Sequence, residues 1–227
     1  MAERSVLITG GTGGLGGAVT AAFLDAGWRV VLPVRDGSAV VPDTAVRVPA
    51  DLSDPAAVAR AAEVATSDDD APVRAVVNLV GGYAGSGRIH ETPIDQVEQM
   101  LAVNLRPTYL VTQAMLPHLV ASGGGAVVCV SARAAMAPFS GAVGYITAKA
   151  AVLAFSNAVA VEYKNDGVRC NAVLPSVIDT STNRAAQPRA DQSRWVPPEE
   201  VATVIRFLAG PESAPISGAA IPVYGRA

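Results

Sequence analysis

Seven short apolar runs, spread along 227 residues, constrain this chain more than any single motif. They read SVLI, RVVLPV, AVRV, RAVVNLV, GAVVCVS, VRCNAVL and AAIPVYG, and helical patterns separate most successive pairs. A strand with one wet face alternates apolar and polar residues, whereas these runs are continuous, as in strands covered on both faces. Strands of that kind joined by helices form a parallel sheet between two helical layers. The expected fold class is therefore α/β and doubly wound, with about seven parallel strands.

The rest of the chain fits one domain over residues 1–227, with no linker, repeat or low-complexity tail. Half the residues are hydrophobic and 16% are charged, enough for a large core. A net charge of -3 offers no basic field for a phosphate backbone, which argues against nucleic acid as a partner. Cys129 and Cys170 lie in apolar runs and read as buried thiols of a reducing compartment. No export signal precedes the first run, and AKAAVLAFSNAVAVEY is interrupted by Lys149, Ser156 and Asn157, so it reads as a buried helix rather than a membrane span. A cytoplasmic protein with no membrane partner is expected.

Helix signals fill the intervals. Gly27 should end the first helix, and Ser53 or Asp54 should cap the segment SDPAAVARAAEVA. Thr92 supplies a hydroxyl cap, Pro93 a first helical residue and Asp95 a first-turn carboxylate for a long helix running through AMLPHLV, with a kink expected at Pro107. Asp68, Asp69 and Asp70 read as a solvated turn.

After the first run comes VLITGGTGGLGGAV, with six glycines between Gly10 and Gly17. A glycine turn between strand and helix presents backbone N–H groups to a pyrophosphate at the helix N-terminus. Two registers fit: Gly11, Gly13 and Gly16 as G-x-G-x-x-G, or Thr9, Gly10, Gly14 and Gly16 as T-G-x-x-x-G-x-G. The run alone does not choose between them.

Farther along, GYITAK puts Tyr145 and Lys149 four residues apart on one helix face. An ammonium beside a phenol favours its ionised form, so a lowered phenol pKa is expected. Ser131 ends a predicted strand, and Asn104 lies in the helix before that strand. His90 and His118 have no metal-ligand spacing, and VSAR is not a nucleophile elbow, so hydrolytic chemistry has no support and no metal is required.

Taken in order, TGGTGGLG at Thr9 to Gly16, Asp51-Leu52, Asn78 and Gly81, Asn104, Ser131, Tyr145 with Lys149, and PSVIDT at Pro175 to Thr180 resemble the short-chain dehydrogenase/reductase family over essentially the whole chain. The resemblance implies a single-domain Rossmann-like fold and a nicotinamide cofactor, and it selects the register of Gly10, Gly14 and Gly16. It further implies that Thr12 and Leu15 join that turn over the pyrophosphate, and that Asp51 and Leu52 contact the adenine. Asn78 and Gly81 would flank the cofactor, while Ile178 and Thr180 would hold the nicotinamide carboxamide, with Pro175 fixing the loop. Tyr145 would be the general acid, Lys149 its helper and the ribose ligand. Ser131 would hydrogen-bond the substrate oxygen, and Asn104 would support a water relay. The implied reaction is hydride transfer at a carbon bearing oxygen, with 3-oxoacyl-type ketoreduction as the default, and homo-oligomers (tetramer or dimer) are usual in the family.

The second strand ends in LPVRDG, where Arg35 would meet a 2'-phosphate and Asp36 a ribose hydroxyl; NADP(H) is favoured over NAD(H) on the first alternative. Tyr83, Arg133, Met136, Ser176 and Trp195 fall in segments expected to shape the substrate pocket, and Ser181 to Pro198 suits a mobile lid. Two further readings stand beside this one. DTSTNR and IPVYG look like the dihydropteridine reductase branch, which reduces a conjugated C=N or C=C system and typically lacks the serine. A dinucleotide-binding sensor would need only the glycines and Asp51.

Overall fold

The computed structural model describes residues 2–35 and 39–226. The seven apolar runs all become strands: β1 (Ser5–Thr9), β2 (Arg29–Val34), β3 (Val46–Pro49), β4 (Val73–Asn78), β5 (Gly125–Val130), β6 (Val168–Pro175) and β7 (Ala220–Val223). They form one sheet, ordered β3-β2-β1-β4-β5-β6-β7, and every pairing is parallel. The order reverses between β1 and β4, and in such sheets the crevice at the carboxyl ends of the strands beside that reversal is where ligands sit.

Helices α1 (Gly14–Asp25), α2 (Pro55–Ala65), α3 (Ile94–Asn104), α4 (Arg106–Ala121), α5 (Val143–Glu162), α6 (Ser181–Ala186) and α7 (Pro198–Ala209) connect the strands. Alternate strand residues feed two cores. Leu7, Val76, Val127 and Cys129 pack with α2, α4 and α5 through Ala61, Met115 and Val152, while Val6, Ile8, Val77 and Val128 pack with α1 and α7 through Phe23 and Ile205. Continuous apolar runs were the signature of this double coverage. Both cysteines are buried and free.

Two helix expectations need correcting. The long helix is not kinked at Pro107 but divided before it: α3 stops at Asn104, Leu105 intervenes, and Pro107 sits in the first turn of α4, where its missing N–H leaves no bond unmade. Thr92 does not cap α3. Pro93 holds that position, and the Thr92 hydroxyl donates back to the carbonyls of Gly87 and Arg88. Asp54, by contrast, caps α2 by accepting from the N–H groups of Ala56 and Ala57. The Asp68–Asp70 turn is also partly structural, since Asp68 pairs with Arg29 at 3.4 Å.

By length and composition α5 is apolar enough to cross a membrane. Its Ala148, Lys149, Val152, Ser156 and Val159 are nevertheless buried within the fold.

Candidate active site

The glycine run forms the first wall of the site. Gly10 adopts φ +68°, a left-handed turn that favours glycine. A Cβ on Gly16 would overlap the Gly10 carbonyl oxygen, so the start of α1 approaches that turn as closely as a backbone can. A Cβ on Gly14 would press on Thr180 at 2.8 Å, and one on Gly11 would meet Leu32 at 2.5 Å. Gly17 faces no atom within 4 Å. These contacts assign the close approaches to Gly10, Gly14 and Gly16, with Gly11 fitted against β2. Helix α1 has no side-chain cap and no acidic residue in its first turn, which leaves the N–H groups around Gly14, Leu15 and Gly16 for an anion. Thr12 is exposed beside them.

Arg35 is exposed at the end of β2 and lies near enough to Asp51 to lower that carboxyl's pKa, after the larger effect of two hydrogen bonds from Ser53. Leu52 is buried in the core beneath. Asp36 lies outside the described residues.

Tyr145 and Lys149 stand one helical turn apart near the start of α5. Tyr145 is partly buried, and its ring meets Tyr83 edge to face with centroids 5.0 Å apart. Burial, aided by Tyr83, pushes the phenol up to about 12. This reverses the expected lowering, because the Lys149 ammonium is directed elsewhere: Nζ donates to the Val130 carbonyl at 3.0 Å. Lys149 is itself buried, and desolvation pulls it down to about 8. Asn78 packs beneath, with Nδ2 donating to Thr112 at 3.0 Å and Oδ1 buried without a partner among the described residues.

The other two expected catalytic side chains hydrogen-bond to the backbone. Asn104 is fully buried; Nδ2 donates to the carbonyls of Gly82 and Met100, and Oδ1 accepts from the Gly82 N–H. A Cβ on Gly81 would fall 2.5 Å from Asn104 Oδ1 and 3.1 Å from Lys149 Nζ, so this turn also requires glycine. Ser131 lies just past the end of β5. It is 2% exposed, and its hydroxyl donates to the main-chain carbonyl of Lys149 at 2.7 Å.

Around this centre, Pro175 ends β6, and Thr180 caps α6 by accepting from the Asn183 N–H. The Ile178 carbonyl accepts from Asn183 Nδ2. Tyr83 and Met136 are exposed, and Trp195 is half-buried. The Arg133 guanidinium lies 5.0 Å from the Tyr224 ring centroid, and Ser176 Oγ donates to the Tyr224 carbonyl. The segment expected as a lid is pinned at both ends: Ile178 bridges Val196, and Val196 is fully buried. A cavity of about 330 Å³, lined by Ile89, Phe139, Val143 and Ile146, opens against the turn of α5 that carries Tyr145. The pairing of Tyr83 with Tyr145 carried no sequence signal beyond two aromatics in candidate loops.

Residues 4–191 match the family described as short chain dehydrogenase. The chain belongs to that family. As a short-chain dehydrogenase it is an NAD(P)-dependent oxidoreductase. It is similar to 2-(R)-hydroxypropyl-CoM dehydrogenase of Xanthobacter autotrophicus, at 33% identity over 98% of this chain and 98% of that one. It also resembles the 3-oxoacyl-[acyl-carrier-protein] reductase MabA of Mycobacterium tuberculosis, at 30% identity over 98% of this chain and 92% of the relative. Among solved structures, a short-chain type dehydrogenase/reductase from Mycobacterium ulcerans superimposes with a TM-score of 0.90 at 25% identity, covering 100% of this chain and 90% of that one. The left-handed Gly10, the close approach at Gly16 and the uncapped start of α1 fit the pyrophosphate of the family's nicotinamide cofactor.

Proposed function

We propose that this dehydrogenase reduces a carbonyl group, or oxidises the corresponding alcohol, with Tyr145 as the residue that moves the proton. The observation that carries this reading is a partly buried phenol one helical turn from a buried ammonium, at the carboxyl edge of the sheet where the glycine turn also lies. When bound, the nicotinamide supplies hydride to the carbonyl carbon. As the C=O electron pair moves onto oxygen, Tyr145 gives that oxygen its Oη proton. Burial suits the donor role, since a phenol held at about 12 is protonated at neutral pH. Lys149, at about 8, keeps most of its charge there; it would bind the nicotinamide ribose and stabilise the phenolate that Tyr145 becomes.

In the same reading Gly10, Thr12, Gly14, Leu15 and Gly16 receive the pyrophosphate, and Asp51 and Leu52 border the adenine. Asn78 and Gly81 flank the cofactor, and Pro175, Ile178 and Thr180 frame the carboxamide. Asn104 fixes the Gly81–Gly82 turn and stands where a water relay to Lys149 would pass. Exposed Arg35 favours NADPH through the 2'-phosphate. Tyr83, Arg133, Met136, Ser176 and Trp195 border the substrate. The names of the two curated relatives both specify a secondary alcohol or ketone, which supports a 3-oxoacyl-type or similar ketone.

One observation favours a second reading, reduction of a conjugated C=N or C=C system. Ser131, the residue that argued against the dihydropteridine reductase branch, is buried with its hydroxyl donating to the Lys149 main-chain carbonyl. A panel of ketones, 3-oxoacyl thioesters and conjugated acceptors, followed by loss of NADPH or NADH absorbance, tests both readings. Turnover of a ketone, with Arg35→Ala weakening NADPH more than NADH, is expected. Turnover of conjugated acceptors alone selects the second reading, and equal losses for the two nucleotides remove the Arg35 assignment.

A further inference from the structure

Arg133 lies two residues beyond Ser131, in a short helical turn, Arg133–Ala135, that packs against α5. The turn is a firm base. The Arg133 carbonyl accepts from the N–H groups of Met136 at 3.0 Å and Ala137 at 2.9 Å, and Ala132 and Ala134 on either side are buried. From there the side chain crosses toward the segment that follows β7, where its guanidinium rests 5.0 Å from the centroid of the Tyr224 ring. Tyr224 is itself held: its carbonyl accepts from Ser176 Oγ at 2.9 Å, and the Val223 carbonyl before it accepts from the Ser176 N–H at 3.2 Å. The residues after Tyr224 are strapped to the end of the expected lid. Arg194 Nε donates to the Arg226 carbonyl at 2.9 Å, and a Cβ on Gly225 would stand 3.0 Å from Val196. Arg133 is thus a partly buried cation at the carboxyl edge of the sheet, held in direction across the ends of β5, β6 and β7.

An aromatic ring engages the face of a guanidinium and leaves its five in-plane N–H donors free. Among the described residues, no hydrogen bond or ion pair takes any of those donors. The carboxylates of the neighbouring loop are engaged elsewhere, Asp179 with Arg184 and Asp191 with the N–H of Ser193. The buried Lys149 ammonium, turned to the Val130 carbonyl, does not duplicate this charge. A planar fork fixed in direction and partly withdrawn from water matches the edge of a carboxylate. We infer that Arg133 binds a carboxylate carried by the substrate, so that the enzyme acts on oxo acids, or on the hydroxy acids they become, in preference to neutral ketones. The inference rests on the assignment of Tyr145 as proton donor, which fixes where the carbonyl end of the substrate lies. Exposed Tyr83 and Met136 offer apolar surface to its carbon chain. The carbonyl carbon gains hydride, its oxygen gains the Tyr145 proton and the nicotinamide is oxidised, while the carboxylate is a handle that neither gains nor loses a bond.

Matched pairs test this: 3-oxobutanoate, 4-oxopentanoate and 5-oxohexanoate, each beside its methyl ester, which keeps the ketone and removes the charge. For the acid whose chain spans the two groups, wild-type kcat/KM should exceed that of its ester by about 30-fold, the worth of a charge-assisted pair of hydrogen bonds. Arg133→Met keeps the apolar stem and should bring that ratio to about one, the loss appearing in KM for the acid, with NADPH and NADH affinity within about twofold of wild type. Arg133→Lys keeps the charge without the fork and should restore about fivefold of the preference. Tyr224→Phe, which retains the ring, should keep the preference, and Tyr224→Ala should lower it by about threefold. Calorimetry on enzyme saturated with NADP+ or NAD+ reads binding without chemistry: hexanoate should bind about tenfold tighter than hexanamide to wild type and equally to Arg133→Met. Esters that match all three acids on wild type, an acid preference that survives Arg133→Met, or equal binding of hexanoate and hexanamide by wild type would overturn the inference, and the calorimetric result decides it even where no acid or ester is turned over. Tyr145→Phe is run alongside. If it retains turnover, the functional reading fails; if it is inactive while esters match acids, only the assignment of Arg133 fails.

Discussion

At the amino edge of the sheet, Arg74 donates to the carbonyls of Ser122 and Gly124 just past α4, and Arg169 donates to the carbonyls of Leu208 and Gly210 at the end of α7. At the carboxyl edge α1 begins with no side-chain cap, a buried ammonium has no carboxylate partner among the described residues, and Asn78 keeps an unpartnered oxygen. The first arrangement pairs cations with the negative ends of helices, as a structure built for stability does. The second leaves donors and charges unsatisfied where a ligand can use them. Size does not tell the edges apart: the amino edge holds a cavity of about 600 Å³ bordered by Arg4, Arg74 and Arg169, larger than the one against α5. Arg4 stacks on Trp28 at 4.3 Å there, and Arg169 contacts four acceptors, so the three arginines bordering that hollow already have partners.

Substitutions at the carboxyl edge should therefore remove ligand binding as well as stability, and those at the amino edge stability alone. Gly16→Ala forces α1 off the Gly10 carbonyl, and the expected result is loss of measurable cofactor binding with at least about 3 kcal/mol of destabilisation. Titration with either nucleotide checks it, and retained affinity would break the assignment of that turn. Arg169→Ala at the opposite edge strips four acceptors of a donor and should cost about 2 kcal/mol by denaturant unfolding, with turnover per folded molecule within about twofold of wild type. A specific loss of kcat would erase the division between the edges.

The smallest effect is one of pH. Lys149 is lowered from 10.5 to about 8 in the folded chain, so between those values the unfolded chain binds more protons. Stability of the cofactor-free protein should then rise as pH climbs from about 8 toward 10, below the range where Tyr145 adds the opposite slope. Lys149→Met should flatten that rise, measured as melting temperature against pH. An unchanged slope would mean that burial is not what shifts Lys149.

Residues whose role follows from local pattern were legible from the chain alone. The strands appeared as continuous apolar runs because both their faces are covered, and Tyr145 and Lys149 were legible as a pair because four residues separate them on one helix. The glycine run alone fitted two registers, and only the resemblance carried by the rest of the chain selected Gly10, Gly14 and Gly16. What pattern did not reveal depends on partners far along the chain. The Ser131 proton goes to a carbonyl 18 residues away, and the Asn104 amide goes to a turn 22 residues earlier. The phenol was expected to be acidified by its neighbouring ammonium, but burial outweighs that neighbour once Val130 takes the Nζ contact. The division at Leu105 was missed because proline is as comfortable opening a helix as it is disruptive within one.

The account stands most directly on Tyr145, and the decisive measurement is single-turnover reduction by Tyr145→Phe beside wild type, with cofactor affinity determined on the same preparations. Removing the proton while keeping the ring should lower the rate by about 100-fold or more and leave nucleotide binding within about twofold. A variant that reduces its carbonyl substrate at the wild-type rate would show that the proton comes from elsewhere and that the carboxyl edge works by another chemistry.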